Sequence, residues 1–122
     1  MKSYSKTTWI GNLVNNPVLI EINNEKKTKK VEFTIAVNRS NSKELEAQGK
    51  QSVDYFKCEM FGALAEVLAD SKKGDALFVE GEMHIDRVDI ISTSVETKYY
   101  PKLIISNFVL LEKKHLEEEE EF

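Results

Sequence analysis

Residues 52–81 constrain the fold more than any other stretch, because they predict a strand, a short helix and a second strand in direct succession. In the first part Phe56, Cys58 and Met60 alternate with other residues, and a period of two is typical of a strand with one buried face. Leu77 and Val79 alternate in the same way in the last part. The sequence therefore predicts two strands joined by a helix.

The predicted helix carries one apolar stripe, formed by Ala63, Leu64, Val67 and Leu68. Lys72 and Lys73 are expected in its last turn, where positive charge complements the helix dipole, and Gly74 suits a left-handed terminal position. Two interpretations of Lys73 follow: a charge that stabilises the helix end, or a residue that contacts a phosphate.

The other face of the first strand is unusual, because Tyr55 and Phe61 lie there with Lys57 between them. Aromatic rings interleaved with positive charge are suited to stacking on bases while holding phosphates. The alternative is that both rings pack beneath a loop. On the first interpretation this face binds nucleic acid.

Composition predicts one domain with a modest core, since the chain has 122 residues. The net charge is −4, but residues 112–122 hold six acids and two lysines; without them the chain has 15 positive and 15 negative residues. Any basic surface must therefore be local. We find no membrane span and no signal peptide, so a cytoplasmic location is expected.

No catalytic or metal-binding pattern is present in the sequence. Cys58 is the only cysteine, so neither a disulfide nor a zinc framework is predicted, and no cofactor is expected. Nucleases with an acid and arginine constellation are one alternative, but only Arg39 and Arg87 are available for it. We therefore expect a protein that is not an enzyme.

The rest of the chain predicts further strands. Residues 4–22 form a β-type run in which Gly11 indicates a bulge or a close backbone approach and Pro17 a bend. Trp9, within this run, has three possible roles: core packing, base stacking or a subunit contact. Residues 30–39 have one apolar face, and residues 39–51 form a long charged connection in which a turn of helix could form. Residues after Gly81 predict a protruding hairpin, and a last strand ends near Leu111.

Five strand regions with one helix between the third and fourth predict an all-β fold, the five-stranded Greek-key barrel of the oligonucleotide/oligosaccharide-binding (OB) fold. Such a barrel binds its ligand on the face of its second and third strands, which is where Tyr55, Lys57 and Phe61 are expected. We assign residues 1–111 to this OB-fold domain and residues 112–122 to an acidic C-terminal tail.

The segments WIGNLVNNP, VEFTIAVNR, DYFKCEMFGALAEVLADSKKGDALFVEGEM and the terminal FVLL resemble, in order and spacing, the bacterial and phage single-stranded DNA-binding proteins. The resemblance covers roughly residues 4–111. It implies that Tyr55 and Phe61 stack on bases and that Lys57 and Lys73 lie near the DNA. It also implies a homo-oligomer, usually a tetramer, that coats single strands without sequence preference.

The sequence departs from this family on the binding face, in the neutral charge of residues 1–111 and in the tail. Asn41 or its neighbours and Val88 stand where many members have stacking tryptophans, and Glu59 adds a negative charge to the binding face. The long linker before the tail is missing. The chain nevertheless ends in an acidic tip that resembles the family's docking site for genome-maintenance proteins; we predict that its partner-binding residues are Glu118, Glu119, Glu120, Glu121 and Phe122.

We therefore predict single-stranded DNA binding and protection in replication, recombination or repair. Besides the four residues that the resemblance implies, Arg39, Lys50 and Arg87 are expected to reach phosphates, and Trp9 is included as a candidate. The alternative is an OB-fold accessory protein of a primosome or of recombination, with an oligomeric scaffold but weak DNA affinity. The tail is either a docking peptide or a solvated acidic end.

Overall fold

The computed structural model describes residues 2–22, 25 and 28–114. They form six strands and two short helices: β1 (Thr7–Leu13), β2 (Val18–Glu21), β3 (Lys29–Asn38), α1 (Ser42–Ala47), β4 (Val53–Phe61), α2 (Ala63–Ala69), β5 (Ala76–Ile91) and β6 (Val95–Glu112). None of the described helices is long and apolar enough to cross a membrane.

The strands close into a barrel. The sheet runs β1-β5-β6-β4-β3-β2, and β1 also pairs with β3, which completes the ring. All pairs are antiparallel except β4 and β6, which run parallel and pair at Cys58 with Leu103 and at Glu59 with Ile104. This is the connectivity of the OB fold, so the predicted fold class is confirmed.

The first predicted strand is divided in two. β1 and β2 pair with the same edge of β3, so together they occupy one position in the barrel. Pro17, which cannot donate a ladder hydrogen bond, lies between them. The side chain of Asn15 partly repairs the ladder, because its Oδ1 accepts the backbone N–H of Thr34 at 3.2 Å. The interruption explains why the structure has six strands where the sequence predicts five regions.

The core lies inside the ring and is built from alternate residues of the long strands. The fully buried side chains include Val31, Ile35, Cys58, Leu77, Val79 and Leu103. Burial raises the pKa of the Cys58 thiol to about 12. A thiol that stays protonated at neutral pH is a poor nucleophile, so Cys58 is a packing residue, as predicted.

Two glycines lie where strands approach too closely for a side chain. A Cβ on Gly11 would be 2.3 Å from the carbonyl oxygen of Ala36, and a Cβ on Gly81 would be 2.0 Å from that of Ile104. Gly81 also follows an irregularity in the pairing of β5 with β6. The prediction of a close backbone approach at Gly11 is thus confirmed.

Two predictions for the helix after β4 are wrong. Its buried residues are Ala65 and Leu68, whereas Leu64 and Val67 are exposed, because the helix packs with another face towards the barrel. The helix also ends at Ala69, so Lys72 and Lys73 lie in the following turn and not in its last turn. Gly74, in that turn, does have the left-handed backbone, with φ 93°.

Two connections between strands have the form that the sequence allowed or predicted. α1 forms the turn of helix that residues 39–51 were expected to allow, and it buries no residue. β5 and β6 continue past the barrel as a hairpin, whose residues are exposed from His84 to the turn at Ser92–Ser94. The hairpin predicted after Gly81 is therefore present, and its base borders the outer surface of β4.

Candidate nucleic-acid interface

The outer face of β4 exposes the residues that the alternation assigns to it. The side chains of Tyr55 and Phe61 are 62% and 43% exposed, and Lys57 is exposed between them. The neighbouring strand β3 places Ala36 opposite Tyr55 and Thr34 opposite Lys57. Because these two partners are small, the Tyr55 ring and the Lys57 chain stand above a shallow surface, and the rings do not pack beneath a loop.

A groove of about 520 Å³ lies along this surface. It runs between β4, the adjacent part of β3 and the base of the β5–β6 hairpin. Its lining includes Tyr55, Lys57 and Glu59 from β4, Glu32 and Thr34 from β3, and Tyr100 and Lys102 from β6. Phe61 lies beyond this lining, near the end of β4, opposite Lys30. A nucleic-acid strand bound along β4 would pass Tyr55 first and Phe61 last.

Tyr100 and Lys102 are groove residues that the sequence reasoning did not identify. β4 and β6 are parallel, with Cys58 opposite Leu103. Extending that register by three residues aligns Tyr55 with Tyr100. The Tyr100 side chain is 47% exposed, so its ring is available to a ligand.

A sequence signal for this second pair did exist. Tyr100 and Lys102 repeat the aromatic–x–lysine spacing of Tyr55 and Lys57. Nothing in the local sequence shows that the two strands lie side by side, because that is decided by barrel closure. The groove thus has a tyrosine and a lysine on each of two parallel strands.

An ion-pair network centres on Glu59 and extends from the groove to Lys30, which lies outside the groove lining. The carboxylate oxygens of Glu59 lie 3.8 Å from Nζ of Lys30 and 3.7 Å from Nζ of Lys102. Lys30 also pairs with Glu32 at 2.8 Å, and Lys102 with Asp86 at 3.1 Å. The pKa of Lys30 is raised, chiefly by its hydrogen bond to Glu32, and that of Lys102 chiefly by its bond to Asp86. Both ammonium groups are thus held charged but already have carboxylate partners.

The two predicted arginines have carboxylate partners as well. The guanidinium of Arg39 donates to both carboxylate oxygens of Asp54, at 2.8 Å and 3.1 Å, and this contact lowers the pKa of the Asp54 carboxyl. Arg87 Nε donates to Asp89 Oδ1 at 3.2 Å along the hairpin. A phosphate at either position would have to compete with a carboxylate.

Three predicted lysines differ from the two arginines in their ion pairing. The side chains of Lys50, Lys57 and Lys73 make no ion pair with any other residue in the described part of the chain. Lys57 lines the groove itself. Lys73 is positioned by its backbone N–H, which donates to Oδ1 of Asn16 at 2.8 Å, next to the groove residue Asn15. Lys50 lies in the connection after α1, away from the groove lining.

Trp9 has a packing role and also borders the groove. Its ring stacks on that of Phe56, with centroids 3.8 Å apart and an angle of 12° between the planes. It is half-buried and packs against the core cluster, which fits the first of the three predicted roles. The ring also contributes to the lining of the groove, so a ligand bound there would alter its surroundings.

One set of predictions concerns residues that the structure does not describe. The docking residues Glu118, Glu119, Glu120, Glu121 and Phe122 lie beyond the described residues. For the described residues we find no group of three or more potential metal ligands.

Comparison with known proteins places these features in a family. The profile of the single-strand binding protein family matches residues 4–111. A crystal structure of a deletion mutant of the single-stranded DNA binding protein from Thermus aquaticus superimposes with a TM-score of 0.65 at 18% identity, covering 88% of this chain and 41% of that one. The chain thus spans less than half of that protein's length, and the likeness shows the shared fold. A search of curated proteins finds no match. Because the family profile covers nearly the whole described barrel, the chain belongs to the single-strand binding protein family.

Proposed function

We propose that this chain binds single-stranded DNA, without sequence preference, along the outer face of β4. One observation carries the proposal: Tyr55 and Lys57 stand exposed above small residues of β3, beside the matching pair Tyr100 and Lys102. Exposed rings can stack on any base, since every base has a π-face, and lysine ammonium groups hold the phosphates between them. Family membership supports the same ligand.

In this proposal the residues have separate roles. Tyr55, Tyr100 and Phe61 stack on successive bases. Lys57 and Lys73 neutralise phosphates at the groove. Lys50 extends the basic path beyond the groove, and Arg39 and Arg87 contribute only where phosphate displaces Asp54 or Asp89. The chain itself catalyses no reaction in this function; it coats and protects single strands in the cytoplasm during replication, recombination or repair.

A fluorescence titration with oligo-dT tests the proposal. Trp9 lies on Phe56 at the groove, and Tyr55 and Tyr100 line it, so a bound strand should quench their emission. Competition with other single strands and with a duplex of equal length should show tolerance of sequence and preference for unpaired bases. Absence of any fluorescence or mobility change at low salt would contradict the proposal.

The alternative function is an OB-fold accessory protein with weak DNA affinity. It is favoured by the ion pairs, because Lys30, Lys102, Arg39 and Arg87 all have carboxylate partners. The same titration separates the two: an accessory protein would bind oligo-dT too weakly to saturate at micromolar concentration, even at low salt. Binding that saturates there supports the first function.

We further propose that the chain is a closed homo-oligomer, most simply a tetramer built from two dimers. Among the described residues, β1 pairs with β3 only at Asn12 and Leu13, so the other residues of β1 leave one edge unpaired. Beside this edge, Ile10 lies opposite Phe78, which lies opposite Val109, and together they form an apolar row on the outer surface. Pairing of β1 with its symmetry mate would cover both features. Light scattering should give a multiple of the 14.0 kDa chain mass; a monomer would contradict it.

The domain division leads to a last proposal. We assign residues 1–111 to the barrel and residues 112–122 to an acidic tail that recruits genome-maintenance proteins. Phe122 carries an apolar ring and follows five glutamates, so a partner with an apolar pocket rimmed by arginines could bind the ring and the acidic side chains. Deleting residues 117–122 should abolish capture of such a partner and leave DNA affinity equal or slightly higher. If neither changes, the tail is only a solubilising end.

A further inference from the structure

The charges on the floor of the groove are arranged around one carboxylate. Glu59 lies within 4 Å of both Lys30 and Lys102, and each lysine has a second carboxylate partner, Glu32 or Asp86. Three negative groups thus face two positive ones. Lys30 does not itself line the groove, and the charged side chains that do line it carry a net charge of −1: Glu32, Glu59, Asp86, Lys57 and Lys102. A surface that holds phosphates would be expected to have the opposite sign.

Burial distinguishes Glu59 from the two outer carboxylates. Its side chain is 15% exposed, whereas those of Glu32 and Asp86 are 42% and 58% exposed. Exposed ion pairs contribute little because water and salt screen them. The less exposed carboxylate is screened less, and it is the one that both lysines share. Glu32 and Asp86 make the closer contact with one lysine each, whereas Glu59 is the carboxylate that competes with phosphate at both lysines.

We propose that Glu59 sets the DNA affinity of this groove by holding Lys30 and Lys102 in place of phosphates. This inference rests on the proposed single-stranded DNA binding. The wild-type site then binds DNA mainly by base stacking, and its phosphate contacts come from Lys50, Lys57 and Lys73. Its affinity is consequently moderate and its salt dependence shallow, and a bound strand can be released without breaking many ion pairs.

The test compares Glu59→Gln with a matched control, Glu80→Gln. Glu80 also pairs with a lysine, since its carboxylate lies 3.3 Å from Nζ of Lys6, and it does not line the groove. Both variants raise the net charge by the same amount. Oligo-dT affinity is measured for wild type and both variants at four or more salt concentrations, with thermal unfolding and light scattering to confirm fold and assembly.

We expect Glu59→Gln to raise affinity at low salt by about tenfold and to steepen the slope of log affinity against log salt by about 0.7 to 1.4, the increment for one or two added phosphate contacts on a single strand. Glu80→Gln should leave the slope unchanged. Asp86→Asn removes one of the two carboxylate partners of Lys102 and leaves its contact with Glu59, so it should give a smaller increase. Because Asp86 is exposed, this variant keeps the test possible if Glu59→Gln is unstable.

The outcomes are distinguishable. If wild type binds oligo-dT and Glu59→Gln binds equally well with the same slope, the inference is wrong while the proposed function stands. If Glu59→Gln and Glu80→Gln raise affinity and slope equally, the effect is one of net charge and the inference is also wrong. If neither wild type nor Glu59→Gln binds, the proposed function fails together with it.

Discussion

The two faces of β4 differ in what determines their behaviour. On the inner face Phe56, Cys58 and Met60 pack against the core, and their apolar character alone defines what they do. On the outer face Lys57 has no ion partner among the residues that the structure describes, whereas Glu59, two residues along, pairs with two lysines of neighbouring strands. Residue type is therefore a good guide to the inner face. On the outer face the neighbours decide which charges a ligand can reach.

Substitution on the inner face should have the largest effect, and on stability alone. Met60→Ala should lower the free energy of unfolding by about 2–5 kcal/mol, because it leaves a cavity in the core. Denaturant unfolding measures the loss. DNA affinity, measured where the variant is still folded, should stay close to that of wild type, since Met60 does not line the groove. A large change in affinity with a small change in stability would contradict the division between the faces.

Removal of the exposed Tyr55 ring on the outer face should lower DNA affinity and leave stability unchanged. Tyr55→Ala should weaken oligo-dT binding by about one to two decades, since stacking on a base contributes about 1–3 kcal/mol. Its unfolding curve should match that of wild type, because the ring is 62% exposed. Tyr4→Ala, the same change at an exposed residue before β1, is the control and should leave affinity unchanged. Equal affinities of the Tyr55 and Tyr4 variants would remove Tyr55 from the site.

Tyr100→Ala tests whether the site extends across the two parallel strands. We expect a loss of about one decade in affinity, smaller than for Tyr55→Ala because less of the Tyr100 ring is exposed. The neighbouring Tyr99 is also exposed but does not line the groove, so Tyr99→Ala is the matched control. If the Tyr99 variant loses more affinity than the Tyr100 variant, the bound DNA follows the hairpin and not the groove.

Substitution of a single charged residue should have the smallest effect on DNA affinity. That effect should appear in how the affinity depends on salt. Lys57→Gln should reduce the slope of log affinity against log salt by about 0.7, the value for one phosphate contact on a single strand. The double variant Arg39→Gln/Asp54→Asn removes a cation together with its partner and should leave the slope unchanged. If the double variant also flattens the slope, the Arg39–Asp54 pair opens when DNA binds and Arg39 contacts a phosphate. The ion pairs of the free protein would then not show which cations DNA can reach.

Local pattern identified most of the barrel, for reasons that can be traced to particular residues. Alternation in residues 30–39 and 53–61 has the period of a strand, so it separated core from surface correctly on both β3 and β4. The helical stripe failed at Leu64 and Val67, because a seven-residue helix has apolar residues on more than one side and only its packing partners select the buried one. A short helix is thus a weaker signal than a long strand.

The sequence by itself determined the two faces of β4, and with them the exposure of Tyr55, Lys57 and Phe61, because side-chain alternation is a property of every strand. Only the tertiary structure decided which cations are available and which rings are neighbours. Tyr100 reaches the groove because β6 runs parallel to β4, and Lys30 and Lys102 lie beside Glu59 because barrel closure brings three strands together. Coulombic contacts act over a few ångströms in space and not over positions in the chain, so no local reading of the sequence could have found them.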